Sequence, residues 1–321
     1  MSIASALRQR FDGEIIFLSR SMHPDLKKNI VKRGFRFTQI PDSLKSDVKA
    51  IELAASSTAA DAIVIDSYNR ELYEATAQSR IRDVSEKLIY IAFDSEHHYL
   101  ADVLHNQNPL AITRNFSTES YTKRLFGLDA VVLRPDVRNA AKDAQVADFL
   151  PDKLTLLVTF GSSDPNSLTE HILQSLEFSE IRIHKIMIIV GALFNQSSSI
   201  EKLAQASCHD VEVMVNPPDL IKLMTSCDLA LTSGGTTNWE LGALGRPIVI
   251  LPIGPRESES AQHLADMGWA QAIYDSNSKT RYELGDALRL TISHGALEGA
   301  CRLRSAINID GVERLVDAIL E

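Results

Sequence analysis

Ser233-Gly234-Gly235-Thr236-Thr237, with Glu240 one helical turn further on, is the grouping in this chain best suited to a chemical task. A short apolar run, Leu229–Leu231, reads as a buried strand before it. Helical spacing follows from Thr236 to Leu244 until Gly245 stops it, and residues 248–251 read as a second buried strand. The unit is a βαβ with a glycine turn at the carboxyl end of its first strand. Glycines let a ligand approach the backbone closely, and the N–H groups opening the helix are unpaired donors at its positive end. Such a place suits a phosphate or diphosphate. Thr236 and Thr237 can cap the helix or donate to a phosphate oxygen, and Glu240 can accept from a pair of sugar hydroxyls. A Gly-Gly turn with a threonine cap is also ordinary in any α/β domain. The pattern is neither a dinucleotide fingerprint nor a P-loop, because no Gly-Lys-Ser/Thr follows.

A second set of candidates stands at other strand ends. Asp66 and Asp94 close apolar runs at residues 62–66 and 88–93, and such acids can orient sugar hydroxyls, act as a base, or simply cap the next helix. His97 and His98 follow and can supply a catalytic histidine, against the ordinary reading of two solvated loop histidines. Asn106, Gln107 and Asn108 carry amides that can line a sugar pocket or build the turn before Pro109. Gly161-Ser162-Ser163 is a further glycine turn at a strand end, fit for phosphate contact or for a plain turn. Arg256 and Glu257 can reach a diphosphate or sugar, or pair with each other in solvent. Trp239 reads as core.

The elements that must position these residues alternate. Strand and helix patterns succeed one another through residues 14–94, and again from 154 to 267, which argues for parallel sheets covered on both faces. Residues 128–133 read as one more strand, and residues 282–293 and 312–320 as late helices. With 321 residues, two domains are expected: 1–136 and 153–321, joined by a linker at 137–152. The chain opens inside a helical pattern, at residues 2–11, with no strand before it. A doubly wound domain normally begins with a central strand, so the first strand of the N-terminal domain is expected to be absent.

Apolar residues make up 45% and charged residues 23%, the balance of an ordinary globular protein. A net charge of −9 with no basic cluster argues against a nucleic-acid face. Three scattered cysteines, Cys208, Cys227 and Cys301, show no metal spacing and point to a reducing compartment. With no long apolar run and no signal peptide, no membrane insertion is expected and a cytoplasmic setting is.

Several stretches together resemble the PseG-type UDP-sugar hydrolases of pseudaminic-acid biosynthesis, relatives of MurG-like glycosyltransferases with the GT-B fold. They are residues 62–68 (Ala-Ile-Val-Ile-Asp-Ser-Tyr), 92–94, 104–109, 125–136, 159–166, 223–230, 233–240 and 310–314. The resemblance implies two Rossmann-like domains facing a cleft. The C-terminal one would hold UDP, its diphosphate on the turn from Gly234 to Thr237 and its ribose on Glu240. The N-terminal one would hold the sugar while water attacks the anomeric carbon. No metal or cofactor is implied. The family's Gly-x-Gly-His loop is absent, Arg256-Glu257 replace its Asn-Gln, and Asp94-Ser95 carries one acid where the family has two. These departures leave UDP binding in place and open three functional readings: a hydrolase freeing a deoxy-acetamido sugar, a UDP-sugar glycosyltransferase, or a UDP-sugar-binding protein without turnover.

Overall fold

The computed structural model describes residues 1–147, 151–161, 164, 167–177, 183–191, 197–273, 284, 288–289, 291–292 and 295–321. The chain forms two compact units, Met1–Pro135 with Asp310–Glu321, and Asp136–Ile309.

In the first unit, α1 (Ser2–Leu7) leads to β1 (Ile16–Ser19), α2 (Pro24–Lys32) and β2 (Arg36–Gln39), with β1 and β2 paired in parallel. Pro24 opens α2 where its missing N–H costs nothing, and Gly34, at φ +79°, turns the chain out of it. Helix α3 (Asp47–Thr58) is capped by the Ser46 hydroxyl, which accepts from the Lys49 N–H. Next come β3 (Ala62–Ile65), α4 (Ala75–Arg82), β4 (Lys87–Ile91), β5 (His98–Tyr99), β6 (Val103–Asn106), β7 (Ser117–Thr118) and β8 (Lys123–Phe126). Strands β3, β4, β6 and β8 form a parallel sheet in that order, while β5 and β7 pair separately. Among the described residues, no strand bridges β1 and β3. The core on one face of the four-stranded sheet is aromatic, built on Tyr73, Tyr90, Tyr99 and Phe116.

Residues 128–133 are not a strand. Leu128–Ala130 form a 3-10 turn after Gly127 at φ +77°, and the strand pairing falls on β8, just before. The run is apolar because Leu128, Ala130, Val131 and Leu133 are buried, and burial alone does not distinguish a strand from a packed irregular segment.

The second unit opens with α5 (Pro135–Asp143), a helix where the sequence suggested a linker. Its polar and alanine-rich pattern hides an apolar stripe, Val137 and Ala141, that is fully buried. Strand β9 (Leu154–Thr159), α6 (Leu168–Glu177), β10 (Ile183–Val190), α7 (Ser197–Ala206), β11 (Asp210–Val215) and α8 (Leu220–Ser226) follow. They continue as β12 (Leu229–Thr232), α9 (Thr237–Ala243), β13 (Ile248–Ile250), α10 (Pro255–Asp266), β14 (Gln271–Ala272) and α11 (Ala296–Ala306). The six strands form one parallel sheet, ordered β11-β10-β9-β12-β13-β14, so β12 is central and its carboxyl end neighbours that of β9. Leu156, Val158, Leu229, Leu231 and Val249 make the middle of its core. Most of residues 282–293 fall outside the described residues.

The last helix, α12 (Gly311–Leu320), belongs to the first unit rather than the second. Its stripe of Val312, Leu315, Val316 and Ile319 packs on Ala6, Ile89, Val103 and Leu125. Gly311 makes this possible, since a β-carbon there would meet the Val131 backbone at 2.6 Å.

Candidate functional site

In the second unit, β12 delivers Ser233–Thr236 to the carboxyl edge of the sheet, and α9 starts at once. The turn is held from within. Buried Asn238 donates from Nδ2 to the Ser233 carbonyl at 3.0 Å, and its Oδ1 accepts from the Thr232 hydroxyl. Sequence reasoning passed over Thr232 and Asn238, although a polar pair six residues apart inside an apolar frame was a signal available to it. Gly234 and Gly235 differ in purpose. A β-carbon on Gly234 would strike Glu257 of α10, whereas one on Gly235 would find only the Ser233 hydroxyl, at 3.8 Å. Thr236 is exposed and Thr237 half-buried, and no side chain caps the helix. Among the described residues, the N–H groups of Gly234, Gly235, Thr236 and Thr237 find no acceptor. Glu240 is half-buried on the next turn of α9.

Glu257 accepts from the Ile253 N–H at 2.7 Å, closing the loop between β13 and α10, and Arg256 is exposed. Trp239 is buried at 4% exposure, as its place on the helix flank suggests. At the end of the neighbouring β9, Gly161 is exposed at φ +84°, a left-handed backbone that glycine adopts without strain. Ser162 and Ser163 lie outside the described residues. Asp164 organises this turn. Its two carboxylate oxygens accept from the Leu168 and Thr169 N–H groups, each at 2.9 Å, capping α6.

In the first unit, two tyrosines hold the segments that follow β3 and β4. The Tyr73 hydroxyl donates to the Ser67 carbonyl at 2.5 Å, and Tyr99 donates to the Asp94 carbonyl at 2.9 Å. His97 stacks on Tyr73, with centroids 4.9 Å apart, and its Nε2 lies 3.9 Å from the Asp94 carboxylate. Tyr68 lies on Phe93 at 4.3 Å and is 77% exposed. Local desolvation pushes the Asp66 carboxyl above the usual carboxylate range although the residue is exposed, and the Met1 amino group draws it partly back. Burial first, then Tyr99, Asp94 and Asp66, raises the Tyr73 phenol, so it stays a donor. Asp94, Glu96 and His97 each bring a donor atom within 4.8 Å of the others, a spacing that a cation can bridge. His98 is engaged elsewhere, with Ser117 and Glu119.

The amides at the end of β6 do local work. Asn106 Oδ1 accepts from the Asn108 N–H, Asn108 Oδ1 from the Leu110 N–H, and Gln107 Oε1 from the Val132 N–H.

Two curated relatives align with the chain. It is 27% identical over 261 residues to an uncharacterized protein of Methanocaldococcus jannaschii, covering 78% of this chain and 51% of that protein. It is 23% identical over 145 residues to the spore coat polysaccharide biosynthesis protein SpsG of Bacillus subtilis, covering 45% and 42%. The aligned part thus spans about half the length of the curated relatives. No protein-family model matches. Among solved structures, MurG of Acinetobacter baumannii superposes with TM-score 0.68 at 17% identity, over 99% of this chain and 94% of that one. The chain has the GT-B fold. HepE of Anabaena, solved in complex with UDP-glucose, superposes at 0.62 with 15% identity, over 99% and 93%. At these identities the likeness is one of architecture: two Rossmann-like units, each with a parallel sheet. No helix among the described residues is long and apolar enough to cross a membrane.

Proposed function

We propose that this protein is a glycosyltransferase that takes a sugar from a UDP-linked donor. The observation that carries the reading is the row of N–H groups from Gly234 to Thr237 that find no acceptor among the described residues, at the central strand of a GT-B unit. A diphosphate seated there would accept from these donors, and the open side of Gly235 lets it come close. Glu240 would accept from the ribose hydroxyls. When the bond from the anomeric carbon to the phosphate oxygen breaks, its electron pair goes to the diphosphate, and fixed N–H donors stabilise that charge. The acceptor hydroxyl attacks the anomeric carbon and gives its proton to a base. Asp94, with His97 beside it, and Asp66, whose carboxyl desolvation holds above its usual range, are the candidates. Asn106 and Asn108 would offer their amide N–H groups to sugar oxygens. The UDP-glucose complex of HepE and the polysaccharide role in the name of SpsG support the substrate class.

A second reading, hydrolysis of a UDP-linked deoxy-acetamido sugar, draws support from the stretches that resemble PseG-type enzymes, Asp66-Ser67-Tyr68 and Ser233–Glu240 among them. Both use the same nucleotide site and differ in whether water or an alcohol attacks. Calorimetric titration with UDP, followed by assay of UDP released from UDP-N-acetylhexosamines with and without acceptor glycans, separates them. Acceptor-dependent release supports transfer, and release into water alone supports hydrolysis. Binding without release in either arm leaves a binding protein, and the absence of UDP binding overturns all three.

A further inference from the structure

The opposite, amino-terminal edge of the second unit's sheet carries a different chemistry. Helix α6 ends on Glu177, and the chain returns beside it after α7 as Ser207-Cys208-His209, just before β11. The Glu177 carboxylate fixes this return, accepting from the Ser207 hydroxyl and, at 3.0 Å, from the Cys208 N–H. One donor atom each from Glu177, Cys208 and His209 lies within 4.8 Å of the other two. Cys208 is exposed, so the cluster opens to solvent.

The imidazole of His209 makes the cluster more than a turn. Its Nδ1 stands 3.3 Å from the Ile183 carbonyl oxygen, and its Nε2 stands 3.3 Å from that of Leu176. A neutral imidazole carries one N–H, so it can donate to one of these oxygens only. The other ring nitrogen then presents a lone pair to a lone pair. A second proton on the ring or a metal ion on that nitrogen resolves the conflict. Two ligands of a tetrahedral zinc ion, with bonds of about 2.0–2.1 Å, stand about 3.3 Å apart. Donation from Nδ1 to the Ile183 carbonyl is the arrangement that fixes the tautomer of a metal-bound histidine.

We propose that Glu177, Cys208 and His209, with the Leu176 carbonyl, bind a thiophilic divalent cation of the zinc type. On binding, the Cys208 sulfur exchanges its proton, which leaves to solvent, for a bond to the metal. Sulfur and nitrogen donors favour zinc over magnesium or calcium, which prefer oxygen. Lying at the sheet edge away from the turn after β12, the ion would pin the end of α6 to the start of β11 as a structural site. The proposal is independent of the nucleotide reading.

The full-length chain, stripped with a chelator, is titrated with zinc alone by calorimetry in two buffers of different ionisation enthalpy. Uptake of one equivalent with proton release is expected. Cobalt(II) added instead should give the near-ultraviolet charge-transfer band of a thiolate ligand. Cys208→Ser should abolish that band and weaken zinc binding by about tenfold or more, whereas Cys301→Ser, at the other exposed thiol, should change neither. His209→Ala should weaken zinc binding and leave UDP affinity unaltered. Circular dichroism of Cys208→Ser without metal should match the parent, because the replaced thiol is on the surface. No stoichiometric uptake, a cobalt spectrum without the thiolate band, or a band that survives Cys208→Ser would overturn the site.

Discussion

A β-carbon on Gly234 would stand 2.4 Å from Cβ and 2.9 Å from Cα of Glu257, so α10 passes the turn with room for a hydrogen only. The first glycine of the pair is thus required by packing within the second unit. Gly234→Ala should destabilise the protein by about 1–3 kcal/mol, since the clash is with backbone and cannot be relieved by a rotamer. Urea unfolding checks this, and a change under about 0.5 kcal/mol would contradict it.

Gly235→Ala should behave in the opposite way. Its β-carbon meets nothing closer than 3.8 Å, so stability should hardly move. UDP affinity should fall by at least about tenfold if the diphosphate approaches this backbone. Glu240→Ala should cost about 1–3 kcal/mol of UDP binding through the lost ribose bonds. Calorimetry measures both, and unchanged affinity in the pair would remove the nucleotide from this turn.

Asp94→Asn and His97→Gln probe the base proposed for the first unit. Each should lower UDP release by about 10²–10⁴-fold while UDP affinity stays at the parent value, as expected for groups that handle a proton rather than the nucleotide. Equal losses in rate and in UDP affinity would assign them elsewhere.

Asp164→Ala should destabilise the second unit by about 0.5–2 kcal/mol, because two N–H groups at the start of α6 lose their acceptor. Asp164→Asn keeps one acceptor and tolerates φ +42°, so it should lose less. Thermal unfolding ranks the two, and the reverse order would refute the capping role.

His105 should make stability depend on pH. It is 2% exposed, its Nε2 lies 2.6 Å from the Ala130 carbonyl, and its Nδ1 is buried without a partner. Burial holds its pKa below the ordinary value, with the Ala130 bond opposing. Above about pH 6.5 both the folded and unfolded chains carry a neutral imidazole, and the full stability is present. As pH falls through that value towards the folded pKa, the unfolded chain takes up a proton that the folded one refuses. Stability is then lost at up to about 1.4 kcal/mol per pH unit. Urea unfolding between pH 7.5 and pH 5.5 should show this slope, and His105→Gln should flatten it.

Much of this architecture was legible in the chain because parallel strands buried on both faces are written as short apolar runs. Residues 62–65, 154–159, 229–232 and 248–250 announce themselves this way, and the Gly234-Gly235 break marks where a strand must hand over to a helix. The runs read less well where burial is not shared with a neighbouring strand. Residues 128–133 are as apolar as any strand, yet they pack as a turn, while β8, with its two cations on the sheet edge, escaped notice. Helix α5 was concealed by its short stripe, Val137 and Ala141, inside polar sequence.

The sequence by itself determined the alternating elements, the glycine turn after β12 and the acids ending β3 and β4, because each follows from residue types a few positions apart. Only the tertiary structure decided that α12 returns to the first unit, that Gly234 answers to Glu257, and that Tyr73 carries His97 towards Asp94. These are contacts between residues distant in the chain or set by side-chain direction. No local pattern encodes them, since they exist only once separate segments share a core.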